Sequence, residues 1–189
     1  IVCAIAVVIA LSLSGCMEKK GKEIRFGALL PLTGDLSSAG EASQIALQIA
    51  VKDVNQYLFS IGSEITVKLI IEDTKTDTAV ALEKLKRLKE KDVGIVIGPQ
   101  SSAEVKAVRE YAEENDILLI SPSSTSLSLS IHGDNVFRFC PDDTHQAEAI
   151  AKQMWEDGVR VVVPIRRGDV WGDDLFQLTK NEFEVLGGK

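Results

Sequence analysis

Two short stretches gather hydroxyl groups at the ends of apolar runs in this sequence. One is Gly98-Pro99-Gln100-Ser101-Ser102; the other is the loop from Ser121 to Ser126, with Ser121, Ser123, Ser124, Thr125 and Ser126 clustered in it. Each follows an apolar run, Ile95-Val96-Ile97 in the first case and Ile117-Leu118-Leu119-Ile120 in the second. Glycine at the end of such a run lets the backbone turn sharply and lets a ligand come close. A serine where a helix begins caps that helix, or shares its exposed N–H groups with a bound anion. The residues alone leave both roles open. Serine-rich loops are ordinarily solvated turns, but two at equivalent strand ends would form one concave polar patch.

Catalytic patterns do not accompany these hydroxyls. The Gly-x-x-x-x-Gly-Lys-Ser/Thr phosphate loop is absent, and "TGDLSSAG" lacks dinucleotide-binding spacing. "PSSTS" does not match the Gly-x-Ser-x-Gly elbow, and neither His132 nor His145 falls in a base position beside it. Those two histidines have no ligand-spaced partners, so no metal site is expected. The acid pairs Asp142-Asp143 and Asp173-Asp174 sit at helix starts, where the helix dipole alone explains them. No enzyme and no cofactor are expected.

The bulk composition narrows the classes further. A chain of 189 residues with 45% hydrophobic content has enough apolar material for a real core. A net charge of −7 gives no basic stripe to release counterions from phosphates, so nucleic acid is not an expected partner. The first sixteen residues, "IVCAIAVVIALSLSGC", carry no charge, and "MEKKGKE" follows. That run has the length of a signal-peptide core and is short for a bilayer crossing. With no initiator Met or basic region before it, the leader is expected to have lost a few residues. Its end, Leu13-Ser14-Gly15-Cys16, resembles the lipobox of prokaryotic lipoproteins, which would make residues 1–15 the signal, Cys16 the lipid-bearing N-terminus and residues 16–23 a tether. The alternative is an uncleaved membrane anchor. Both readings put the remaining chain outside the cytoplasmic membrane and tied to it. Of the three cysteines only Cys140 would then be free, a small apolar residue with no expected chemistry.

Alternating strands and helices must position the two loops. Strands are expected over 23–32, 64–73, 93–98, 116–121, 135–140 and 159–165. A long helix with Ala42, Ile45, Ala46, Ile49, Ala50, Val54 and Leu58 on its inner face follows the first. Asp77 should cap a second helix packed through Val80, Leu85 and Leu88, and a third should bury Val105, Val108 and Ala112. A helix is expected over 144–156 and an amphipathic segment from Asp173 onward. Strands apolar on both sides, each leading into a helix, predict an α/β fold with a parallel sheet covered on both faces. In such sheets ligands bind beyond the carboxyl ends of the strands, where both hydroxyl loops lie.

Taken in order, "IRFGALLPLTGDLSSAG", "EDTKTDTAVA", "VGIVIGPQSSAEV", "ILLISPSSTS", "VFRFCPDDTHQAEAIA" and "GDVWGDDL" resemble the type I periplasmic substrate-binding proteins of amino-acid ABC transporters, in particular the branched-chain (Leu/Ile/Val) group. The resemblance spans residues 24 to about 176. It implies a ligand-binding lobe over 24–140, part of a second lobe over 141–189, and an amino acid held in the cleft between them for delivery to a membrane permease by a monomeric protein. It also implies that Ser102 and Thr125 hold the ligand's carboxylate beside Ser101, that the Ser123 carbonyl meets its ammonium, and that Trp171 faces them from the second lobe. Ala39 and Trp171 depart from the aromatics commoner in the family, which opens the question of ligand identity. Family members are about twice this length, so the acidic residue that usually meets the ammonium is not expected in this chain. A membrane-receptor ectodomain sensing a similar molecule is the alternative function.

Overall fold

The computed structural model describes residues 21–189; the expected leader and Cys16 lie outside the described residues. Five parallel strands form one sheet in the order β2-β1-β3-β4-β5. These are β1 (Glu23–Leu30), β2 (Thr66–Asp73), β3 (Ile95–Ile97), β4 (Leu118–Ser121) and β5 (Val136–Arg138). Helices α1 (Ser37–Ser60), α2 (Thr78–Glu90) and α3 (Ser102–Glu114) connect the first four strands, and α4 (Thr144–Glu156) and α5 (Val170–Val185) follow β5. The doubly wound architecture expected from the sequence is present, with each strand shorter than its apolar run.

The sheet register sets the two hydroxyl loops side by side. Ile97 pairs with Ile120, so β3 and β4 end level and Gly98 begins one loop where Ser121 begins the other. The Gly98 N–H donates to the Ile120 carbonyl at 2.8 Å, fixing the turn. Gly98 has φ +102°, and a Cβ there would lie 2.1 Å from the Leu29 carbonyl oxygen of the neighbouring strand. Only glycine fits that turn without moving the backbone.

The two faces of the sheet differ. On one, Leu29, Val96 and Leu119 pack against Ala81, Leu85 and Leu88 of α2 and Val108 and Ala112 of α3, all fully buried. Val105, also inward on α3, is fully buried too, as the apolar periodicity predicts. The Asp77 carboxylate caps α2 by accepting from the Ala79 and Val80 N–H groups, at 2.8 and 2.9 Å. On the other face α1 packs against β1 and β2. Its Asn55 amide reads the edge strand like another peptide group, donating to the Val67 carbonyl and accepting from the Val67 N–H.

The packed side of α1 is not the stripe expected from the sequence. Ile45, Ile49 and Val54 are 59%, 55% and 44% exposed, whereas Leu47 and Val51 are half-buried; of the expected stripe Leu58 alone is half-buried, on the side of Leu47 and Val51. This helix is apolar on two sides, and periodicity alone picks the more continuous stripe rather than the one that meets the sheet.

Two further differences lie near the C-terminus. Residues 159–165 form no strand of the sheet, and Val161, Val163 and Ile165 stand 68%, 88% and 101% exposed. Their alternation is that of a strand, yet among the described residues only Lys189 bonds to this stretch in ladder fashion, through Val162 N–H and the Arg160 carbonyl. The amphipathic segment expected from Asp173 is a helix that begins earlier, at Val170, with the Asp169 side chain capping it through the Gly172 N–H at 2.9 Å.

Candidate ligand-binding site

A cavity of about 320 Å3 opens between the strand tips and the start of α5, lined by Leu36, Ala39, Gln100, Ser101, Ser102, Ser123, Arg167 and Trp171. A smaller hollow of about 170 Å3 on the underside of α4 and α5 is lined by Met154, Val162, Pro164, Phe176 and Phe183, with Thr179, Lys180, Glu184 and Lys189 at it as well, and takes in no residue of either hydroxyl loop. Ligand sites pair apolar walls with a few convergent polar groups, and the first cavity has that character.

Hydrogen bonds between the two tips build one wall. The Ser121 hydroxyl donates to the Pro99 carbonyl at 2.6 Å, and the Ser123 hydroxyl to the Gln100 carbonyl at 2.9 Å. The Ser124 hydroxyl and the Ser126 N–H both donate to Ser102 Oγ, at 3.0 and 3.3 Å. Gln100 reaches the other way and donates to Ser43 Oγ at 2.5 Å, tying the tip to the first turns of α1. There Gly40 lets the helix approach the Pro31 carbonyl, which a Cβ would meet at 2.2 Å.

Each candidate hydroxyl has its own assignment. Ser101 is the N-cap of α3 in a reciprocal capping box with Glu104. The Ser101 hydroxyl accepts from the Glu104 N–H and donates to the Glu104 carboxylate, so capping occupies it. Glu104 is fully buried, and its second oxygen has no partner among the described residues. Ser102 differs. A hydroxyl has two acceptor sites and one proton, and both acceptor sites of Ser102 are taken by Ser124 and Ser126. Its own proton is left to donate, beside the exposed N–H groups of the first turn of α3. Thr125 does not line the cavity; its hydroxyl donates to Asp143 Oδ2 at 2.9 Å, while its carbonyl accepts from the Asp143 N–H at 3.0 Å.

The opposite wall comes from the segment before α5. Trp171 lies in the first turn of that helix, with the Arg167 guanidinium 4.9 Å from its ring centroid. Arg167 Nε bonds to Asp169 Oδ2 at 2.6 Å. Asp174 joins the walls by accepting from the Ser126 hydroxyl and, at 2.9 Å, from the Ser128 N–H. Burial pushes the Asp174 carboxyl up, but those hydrogen bonds outweigh it and leave the group below the usual carboxylate range.

Sequence reasoning placed Ser101, Ser102, Ser123 and Trp171 around what is one cavity. It missed Gln100, although this residue lies inside the stretch that drew attention, and Arg167, whose only sign was its closeness to Trp171. It also assigned Asp143 and Asp174 to the helix dipole alone, whereas each carboxylate anchors a hydroxyl of the second loop. Cys140 is half-buried, donates to the Ser124 carbonyl at 3.3 Å, and has its thiol pKa raised by burial.

A comparison with protein families matches residues 23–189 to the model described as periplasmic binding protein. The chain belongs to this family. An uncharacterized protein of Methanocaldococcus jannaschii is 33% identical over 174 residues, covering 89% of this chain and 42% of that protein. The Leu/Ile/Val-binding protein BraC3 of Rhizobium johnstonii is 28% identical over 70% of this chain and 36% of its own length. Among solved structures, the leucine binding protein LivK of Thermotoga maritima superimposes with a TM-score of 0.76 at 28% identity, over 87% of this chain and 47% of LivK. The fold is therefore that of the type I periplasmic binding proteins, as the sequence motifs suggested. The chain spans less than half the length of the curated relatives it matches.

Proposed function

We propose that this protein captures a small amino acid or related carboxylate between the strand tips and the start of α5. Residues 24–140 act as the ligand-binding lobe, and residues 141–189 contribute part of a second lobe. The observation that carries this reading is Ser102, whose acceptor sites are saturated by the neighbouring loop while its proton remains free at the N-terminus of α3. A ligand carboxylate supplies the missing acceptor. Neutral hydroxyls and peptide N–H groups stabilise it without a buried counter-charge. The Ser123 carbonyl serves an ammonium, and Trp171 closes over the ligand.

Capture of this kind works by population shift. A ligand that touches both walls favours the closed arrangement by its differential affinity for it. The closed protein is then the form that an ABC permease in the membrane reads, with Cys16 carrying the lipid that keeps the binder near it. Identities of 28% to a Leu/Ile/Val-binding protein and to a leucine binding protein support an amino acid as cargo.

The test is Ser102→Ala in the full-length protein, titrated calorimetrically against an amino-acid panel. A charge-assisted hydrogen bond of this type contributes roughly 1.5–3 kcal/mol, so affinity should fall about 10- to 100-fold. The variant also loses the acceptor for the Ser124 hydroxyl and the Ser126 N–H, so its melting temperature should fall too, and the titration is run where circular dichroism shows it fully folded. Undiminished affinity in that variant would overturn the assignment.

A further inference from the structure

We infer that Arg167 makes this site selective for a carboxylate bearing a second anionic group, rather than for a purely aliphatic amino acid. The inference rests on the proposed ligand site and adds the class of ligand to it.

Among the described residues the cavity has a single charged lining residue, and it is cationic. One wall already favours an anion, through the Ser102 proton and the first turn of α3. The facing wall presents a guanidinium beside the Trp171 ring. An aliphatic side chain placed there would strip water from Arg167 without returning a hydrogen bond, which is unfavourable. A second carboxylate would accept two parallel bonds from the guanidinium fork.

Three features hold Arg167 in place for this task. Its Nε is committed to Asp169, which at the same time caps α5 through the Gly172 N–H. Its guanidinium stacks near Trp171. Its main chain is gripped by Gly172, where a Cβ would sit 2.1 Å from the Arg167 carbonyl oxygen. The terminal Nη groups bond to no partner among the described residues, so their N–H donors remain for a ligand. The neighbouring Arg166 pairs instead with Asp173 at 2.9 Å and does not line the cavity.

The experiment titrates full-length wild type and Arg167→Gln with L-glutamate, L-glutamine, glutarate and L-leucine. Glutamine is the neutral isostere of glutamate, and glutarate lacks the ammonium. We expect at least a roughly tenfold preference for glutamate over glutamine in wild type, lost in Arg167→Gln, because a fork-to-carboxylate pair is among the stronger polar contacts. Equal binding of glutarate would show that the two anionic ends suffice, and weaker binding that the ammonium also counts; either supports the inference. Leucine binding more tightly than glutamate, with no change in Arg167→Gln, would overturn it while leaving the ligand site standing. If wild type binds none of the four and Ser102→Ala is equally silent, the site itself falls and this inference falls with it.

Discussion

The two walls of the cavity are built on opposite terms. The strand-tip wall is laced through buried groups, with Ser102, Ser121, Ser124 and Ser126 each no more than 3% exposed and bonded to one another or to the neighbouring backbone. The α5 wall rests on half-exposed groups: Arg167 on Asp169 and Trp171, and Asp174 on Ser126 and Ser128. Buried polar networks are rigid because breaking any of their bonds leaves an unsatisfied group behind. Exposed pairs are worth little each and exchange readily with water. One wall is thus a preformed template and the other can move, which is the division of labour that closure over a ligand requires.

The most damaging change to the rigid wall should be Gly98→Ala. It forces a side chain onto a positive φ and into the Leu29 carbonyl at 2.1 Å, in the middle of the sheet. A strained backbone of this kind costs about 1–3 kcal/mol and the steric conflict adds to it, so a loss of about 3 kcal/mol or more is expected by urea denaturation. A loss below about 1 kcal/mol would show that the tip yields easily and that the contrast between the walls is overstated.

Thr125→Val comes next and separates two roles for that residue. The valine removes the donor to Asp143, which is 1% exposed, and should lower stability by about 1–2 kcal/mol. Its effect on ligand affinity should be smaller than that of Ser102→Ala, since Thr125 lies off the cavity lining. A large loss of affinity at unchanged stability would instead show that its hydroxyl leaves Asp143 for the ligand.

How far these walls could be read in advance follows from the range of the contacts. The tips were legible because a parallel strand, its glycine turn and the helix cap are local in sequence, as 95–104 shows. Partnerships across larger separations were not. Nothing in the string says that Asp174 meets Ser126 and Ser128, or that Asp143 takes Thr125, since acids near helix starts have a sufficient local explanation. The same limit misplaced α1. Its Ile45–Ile49 stripe and the Leu47–Val51–Leu58 side are both apolar at helical spacing, and only the position of the sheet decides between them. Residues 159–165 show the converse: the alternation of a strand is present, but pairing is a property of neighbours and not of the segment.

On the mobile wall, Asp174→Ala should have a milder effect, about 1 kcal/mol, because the carboxylate it removes is part-exposed and its hydrogen bonds are discounted by solvent. The clearer readout is local. Amide exchange at residues 126–129 should accelerate while α3 and β4 stay protected, marking the junction as a separately opening unit. Uniform acceleration across the sheet would mean that both walls share one cooperative unit.

The smallest effect concerns acid. Asp174 has its folded pKa depressed because hydrogen bonds from Ser126 and Ser128 to the charged form outweigh burial. Asp73, the last residue of β2, is depressed in the same way, with donors from Thr33 and the Lys75 N–H overcoming burial. An unfolded aspartate takes up its proton near pH 4, before these folded groups do. The unfolded state therefore binds more protons in that range, and stability falls as pH drops. Each contribution is complete above the unfolded pKa and disappears as pH falls through the lower folded value. The difference in urea midpoint between wild type and Asp174→Ala should accordingly hold constant from pH 8 to pH 5 and shrink below about pH 4. A difference that persisted undiminished at pH 3 would mean that Asp174 holds α5 by packing rather than by charge, and that the second wall is fastened much like the first.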